Sequence, residues 1–263
     1  KLFLDKLEHL KKHVSIQETY INDDVNMLEI GTGWYPIIPI GMFLMGRKNV
    51  TTFDIVKLVT SKRIRDTLVF FVNWHDNGKL REYLPNYNVQ ALDRLRNDVN
   101  STRELNLADY GINYISGNFT DQFRGDEKFN YICSNNTFEH IYEDDLKITL
   151  SVFYTILEKG GVMSHHIDLS DHFAHLDRTI TPYNFLQFSD FQWKLIDNSI
   201  QPQNRLRYSD YKNMIEDAGF EIVASENISK AKDSLSRVNL NSRFTRYEKD
   251  DIAITHSYLT IKK

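Results

Sequence analysis

The sequence predicts an α/β fold built as a doubly wound, mostly parallel sheet of seven strands. Three observations carry the prediction. Seven short apolar runs of strand length recur along the chain, and segments with helical spacing separate them. No repeat, low-complexity tract or Pro/Gly/Ser linker interrupts the 263 residues, so a single domain is expected. A glycine turn, Gly31-Thr32-Gly33, directly follows the first strand-like run, where such a sheet binds its ligands.

The elements follow in order. Residues 1–12 alternate charged positions with Phe3, Leu4, Leu7 and Leu10 at helical spacing, which predicts an amphipathic helix within an N-terminal segment 1–25. Strand-like runs lie at 26–30, 50–54, 112–116, 129–133, 161–166, 221–225 and 252–261. Helical patterns occupy 146–157 and 209–218, the second opening on Ser209 as N-cap and ending at Gly219. Residues 26–167 form the expected cofactor-binding core and 208–263 the C-terminal part of the sheet. The stretch 56–110 carries two or three further helical patterns, whereas 168–207 is rich in aromatics and reads as a lid over a substrate.

Composition narrows the function classes. With 32 basic and 36 acidic residues the net charge is -4, so the broad positive field of a nucleic-acid binder is missing. The single cysteine, Cys133, makes neither an internal disulfide nor a thiolate cage, which predicts a reducing, cytoplasmic setting. The longest apolar stretch, 37–46, is interrupted by Pro39 and is far shorter than the ~20 residues of a membrane span, so no membrane partner is expected. The chain begins with Lys1 rather than methionine.

Glycines at the end of a strand let backbone N–H groups approach a ligand, and Asp54, about 20 residues further on, stands where a carboxylate accepts the hydroxyls of a ribose. Glu29 lies inside the expected central strand, where an ionised carboxylate is costly unless a positive group answers it. Pro36 occupies the place of the third glycine of a dinucleotide fingerprint and removes a donor that a pyrophosphate needs, which argues against NAD.

Leu28-Glu29-Ile30-Gly31-Thr32-Gly33 resembles the first motif of class I S-adenosylmethionine-dependent methyltransferases, and later motifs follow in order. Asp54 with Ile55 is similar to that family's ribose-binding acid and its neighbour, Gly117-Asn118-Phe119 to its adenine-side loop, and Ser134-Asn135 falls in the stretch beside the transferred methyl. Leu157-Glu158-Lys159-Gly160-Gly161 resembles the family's turn before the fifth strand. The resemblance implies a Rossmann-like methyltransferase fold and S-adenosylmethionine as cofactor, bound by Glu29, Gly31, Thr32, Gly33, Asp54, Ile55, Gly117, Asn118, Phe119, Ser134 and Asn135. Trp34-Tyr35-Pro36 and Asn118 depart from the family pattern, which usually has small residues and an acid at those places. Each piece also has a structural reading, as a tight turn, a helix cap or core.

Methyl transfer to a hydroxyl needs a proton acceptor, and histidine titrates near neutrality. His140, His165 and His166 lie at the ends of the fourth and fifth strands and are the candidate bases. Strand alternation turns His165 and His166 to opposite faces, so one of them is expected to be structural. Asn136-Thr137-Phe138-Glu139-His140 resembles the Glu-x-x-Glu-His stretch with which ubiquinone-pathway O-methyltransferases hold a divalent metal, but Asn136 replaces the leading acid. The segment 165–177 gathers imidazoles and carboxylates that suit mutual hydrogen bonding as well as a metal, and no metal is expected. If Ser170 caps a helix there, Asp168 meets His172 only through turn geometry.

Tyr183, Trp193, Arg205 and Arg207 are the candidate acceptor contacts, as aromatic wall and anion grip; a packed lid with solvated arginines is the competing reading. The function expected is methyl transfer to a hydroxyl of a small polar metabolite such as a sugar or sugar phosphate. Transfer to a small amine, a nicotinamide-dependent oxidoreductase and a non-catalytic cofactor-binding protein are the alternatives.

Overall fold

A computed structural model describes residues 2–21, 24–177, 179–198 and 202–263. Residues 1, 22 and 23 of the expected N-terminal segment, and 178 and 199–201 of the expected lid, lie outside them. Seven strands form: β1 (Asn26–Ile30), β2 (Asn49–Asp54), β3 (Ile112–Ser116), β4 (Phe129–Asn135), β5 (Leu157–Asp168), β6 (Glu221–Ile228) and β7 (His256–Lys262). The α-helices are α1 (Leu2–Tyr20), α2 (Ile37–Leu44), α3 (Ser61–Asp76), α4 (Leu80–Tyr83), α5 (Val89–Asn100), α6 (Phe119–Gln122), α7 (Glu143–Ile156), α8 (Asp190–Ile196), α9 (Tyr208–Asp217) and α10 (Lys249–Ala253). The strand order is β3-β2-β1-β4-β5-β7-β6, the doubly wound arrangement expected from the sequence.

The chain divides into two compact units: residues 1–135 with 155–164, and residues 136–154 with 165–263. In the first, β1 pairs in parallel with β2 and β4, and β2 with β3. β1 is therefore hydrogen-bonded on both sides, and its sequence is apolar apart from Asn26 and Glu29 because both faces are covered. Helix α1 buries Leu7, Leu10, Val14 and Gln17 along one face, the i, i+3, i+4 stripe of an amphipathic helix, while Leu4 is exposed. Gly41 of α2 sits against Leu10; a Cβ there would fall 2.2 Å from its side chain, so a larger residue would displace the Leu10 side chain.

In the second unit β6 and β7 pair antiparallel, with a register shift between Ile222 and Ala224. Tyr183, Phe185, Leu186, Trp193, Phe244 and Ile252 form a separate buried cluster there. Two expected boundaries are corrected in this unit. The apolar run at 252–261 splits, Ile252 and Ala253 closing α10 and β7 beginning only at His256, because a short apolar run has no period to separate helix from strand. Helix α9 opens one residue before Ser209, whose hydroxyl donates to Asp251 Oδ2 instead of capping; the Asp210 carboxylate accepts from the Arg207 amide.

Candidate functional site

In the first unit the glycine turn is built by the sheet. Gly31 N and Thr32 N donate to Phe53 O at 2.8 and 3.3 Å, so the turn continues the β1–β2 pairing. Gly31 and Gly33 have φ of +81° and +68°, a backbone that side chains strain. The Gly33 amide donates to Asp54 Oδ2 at 2.8 Å, joining the loop to the carboxylate at the end of β2. Gly117 N donates to Asp54 O at 3.2 Å and brings the third loop alongside. Ile55, 72% exposed, and Val56, 54% exposed, present a bare apolar surface next to that acid.

Glu29 is buried in β1 and accepts from Thr52 Oγ1 at 2.6 Å; Thr52 Oγ1 lies 2.5 Å from Thr32 Oγ1. Burial pushes the Glu29 carboxyl up to about 7, opposed by the positive charge of Lys6. Lys6 of α1 donates from Nζ to Thr32 O at 3.2 Å, and burial lowers its pKa against the pull of Glu29 and Asp54. Sequence reading missed Lys6. Its position on the opening helix says nothing of a loop 26 residues away.

The other expected cofactor residues divide. Phe119 packs edge-on against Phe53 at 5.2 Å. Asn118 caps α6, its side-chain oxygen accepting from Asp121 N, so that oxygen is already committed within its own loop. Ser134 is fully buried, and Asn135 Oδ1 accepts from His13 Nε2 at 3.0 Å. His13 Nδ1 meets Tyr131 Oη at 2.9 Å and Ser164 Oγ at 3.1 Å, so one buried imidazole ties α1 to the end of β4.

In the second unit the three candidate bases have different surroundings. His165 is buried on β5 with its ring stacked 4.3 Å from Phe138 and 5.9 Å from Phe153. His166 meets Tyr258 at 4.2 Å and His256 at 5.7 Å, so the two rings do leave opposite faces of the strand. Both belong to aromatic packing. His140 ends the 3-10 turn Phe138–His140, and its Nδ1 lies 2.7 Å from Pro202 O. A carbonyl only accepts, so Nδ1 carries the hydrogen and Nε2 keeps a lone pair in the neutral ring. Burial lowers the His140 pKa, which favours that neutral form.

Around His140 the structure assembles a polar cluster. Ser170 is not a helix cap: its hydroxyl donates to Asp168 Oδ1 at 2.5 Å, and Asp171 caps the turn His172–His175. The Asp168 carboxylate has His175 Nε2 at 3.7 Å, His256 Nε2 at 3.8 Å and His172 Nε2 at 3.9 Å. Glu139 is 1% exposed; its Oε1 accepts from Asp168 N at 3.3 Å, while Oε2 is buried with no hydrogen-bond partner among the described residues. Burial, then the Asp168 charge, pushes the Glu139 carboxyl well up. Burial likewise takes His172 down to about 4, opposed by Asp168.

The four expected acceptor contacts have partners within the chain. Arg207 is fully buried and donates to the carbonyls of Leu169, Ile252 and Ile254. Arg205, 2% exposed, donates to Phe185 O, Phe188 O and Asp190 Oδ1, and burial draws its pKa down to about 10. Neither guanidinium is solvated, and both are engaged by the chain itself rather than offered to an anion. Tyr183 Oη donates to Ala253 O at 2.8 Å and Trp193 Nε1 to Gln203 O at 2.9 Å, with both rings in the buried cluster. These residues hold the segment together.

Comparison with known proteins agrees with the fold. The sequence model of the family described as a methyltransferase domain matches residues 8–225. A structure from Galdieria sulphuraria described as a sarcosine dimethylglycine methyltransferase is similar at TM-score 0.51 and 15% identity, covering 99% of this chain and 86% of that one. An S-adenosylmethionine-dependent methyltransferase from Clostridium acetobutylicum has TM-score 0.50 and 11% identity, covering 98% and 91%. No curated protein matches in sequence. The residues present fit the cofactor: a carboxylate at the end of β2 for ribose hydroxyls, bare apolar side chains beside it, and a Glu29–Lys6 pair of opposite charges at the glycine loop, suited to an amino-acid end. The chain belongs to the methyltransferase-domain family and is an S-adenosylmethionine-dependent methyltransferase.

Proposed function

We propose that the enzyme methylates a hydroxyl of a small polar metabolite of the sugar class and that His140 accepts the proton. When bound, S-adenosylmethionine supplies a methyl group on a positively charged sulfur, which departs as a neutral thioether. Asp54 accepts from the ribose hydroxyls, Ile55 and Val56 pack the adenine, and Glu29 with Lys6 answers the charges of the methionine end. The observation that carries the base assignment is the 2.7 Å contact of His140 Nδ1 with Pro202 O, which leaves Nε2 as a lone pair. A neutral imidazole is the form that takes a proton, and such groups contribute about 10²- to 10⁴-fold. With Arg205 and Arg207 engaged by the chain, no phosphate grip is assigned to the acceptor. The net charge of -4 supports a small acceptor over a nucleic acid, and among the described residues no helix is long and apolar enough to cross a membrane.

The test is a methyl-transfer screen over sugars, polyols and small amines with wild type and His140→Gln. Transfer to a hydroxyl acceptor that falls at least about 100-fold in the variant is expected. Turnover confined to amines, or a hydroxyl acceptor indifferent to the substitution, overturns the reading.

A further inference from the structure

One ligand oxygen of Glu139 and one ring nitrogen each of His140 and His172 lie within 4.8 Å of one another. We propose that these three side chains form a binding site for a single divalent transition-metal ion. Two imidazoles and a carboxylate are donors suited to Zn²⁺, Mn²⁺, Fe²⁺ or Co²⁺ rather than to Mg²⁺ or Ca²⁺, which prefer all-oxygen shells. Around an ion with bonds of about 2.1 Å, tetrahedral ligands sit roughly 3.4 Å apart, so rotations of the side chains by about an ångström close the site.

Two observations point to a ligand independently of the clustering. Glu139 Oε2 is buried and unpartnered among the described residues, and so is His172 Nδ1. A buried polar atom left without a partner is costly, and an ion at this place supplies the partner that Glu139 Oε2 lacks. The His140 tautomer is already chosen: Nδ1–H rests on Pro202 O, the outer contact that orients a ligating imidazole and presents Nε2 to an ion. Asp168 is fixed by Ser170 N at 2.9 Å and Ser170 Oγ at 2.5 Å, and lies 3.9 Å from His172 Nε2, placed as an outer partner. The local fold explains the convergence. Glu139 and His140 share one 3-10 turn after β4, and the Asp171-capped turn brings His172 to it.

Three protein ligands leave coordination positions open for water. The ion takes the same Nε2 lone pair that accepts the proton in the hydroxyl reading above, so metal at this site and proton transfer to His140 exclude each other, and methyl transfer is scored on chelator-treated protein. The existence of the site does not rest on that reading.

The experiment titrates untagged, chelator-treated protein with Co²⁺, Zn²⁺ and Mg²⁺, following heat and the visible absorption of bound Co²⁺. One Co²⁺ per chain with nitrogen-ligand bands, displaced by Zn²⁺ and indifferent to excess Mg²⁺, is expected. His172→Gln and Glu139→Gln should each weaken Co²⁺ by at least about 100-fold, and Asp168→Asn by roughly 10- to 100-fold as an outer partner. Melting curves of the variants establish that they are folded. Lack of saturable Co²⁺ binding, or binding that survives both ligand substitutions in folded protein, overturns the site. That failure is separable from failure of the hydroxyl reading, which is scored by methyl transfer in the presence of chelator.

Discussion

The amide of Gly33 donates to the carboxylate of Asp54 across 2.8 Å, so the glycine loop and the acid at the end of β2 are positioned by each other before any ligand arrives. A charge-assisted hydrogen bond of this kind holds the acid rotamer at the mouth of the loop and lowers the ordering cost of binding. It also makes the proposed cofactor site sensitive at both ends.

Asp54→Ala is expected to weaken S-adenosylhomocysteine binding by roughly 100-fold or more, the loss of hydrogen bonds to a charged acceptor at about 1.5–3 kcal/mol each. Gly33→Arg should abolish it, because φ of +68° disfavours any side chain and a Cβ there already meets Lys6 Nζ at 3.6 Å. Calorimetric titration of both variants measures this.

Lys6→Met should weaken S-adenosylhomocysteine, which carries an amino-acid carboxylate, about tenfold or more, while 5′-methylthioadenosine, which lacks it, binds the variant nearly as well as wild type. The comparison of the two ligands isolates the charge at the Thr32 carbonyl from general damage to α1.

Glu29 sets a pH dependence of stability. Its folded pKa, raised to about 7 mainly by burial, exceeds the ordinary 4.5, so the unfolded chain ionises first. The contribution is fully present below 4.5 and is lost as pH rises through 7, by roughly 3 kcal/mol. Urea unfolding of ligand-free protein should show wild type losing stability relative to Glu29→Gln between pH 4.5 and 8; a constant difference would contradict this.

His13 acts in the opposite direction. Burial lowers its pKa to about 4 from 6.5. The stability it contributes is present above 6.5 and is lost as pH falls toward 4, again by roughly 3 kcal/mol. His13→Gln, which keeps a polar side chain near Asn135, should flatten the acid limb of the melting-temperature profile.

Arg207→Met should cost about 3 kcal/mol or more of folding stability, because three carbonyls at the β5 end and around α10 lose a charged donor. Its acceptor KM should stay near wild type in whatever folded fraction remains. A raised KM with unchanged stability would restore the role of an anion grip.

Much of the fold was legible because its signals are local. A five-residue apolar strand running into Gly31-Thr32-Gly33 is a statement about neighbouring residues, as is the Leu7-Leu10-Val14 stripe of α1. The alternation that sends His165 and His166 to opposite faces is equally a property of a strand. Where the signal lacked a period, as at 252–261, the start of the expected strand became the end of a helix.

By itself, then, the sequence determined the class of fold and the glycine turn after the first strand, because backbone conformation and strand periodicity depend on adjacent residues. Tertiary structure alone decided what the charged side chains do. Arg205 and Arg207 read as free cations until carbonyls from distant segments surround them. Lys6 reads as one lysine among several until α1 lays it on the Thr32 carbonyl. Glu139, His140 and His172 become one site only when two turns meet. A polar group's role is set by its burial and its partners, and those are assigned by the folded chain rather than by its neighbours in sequence.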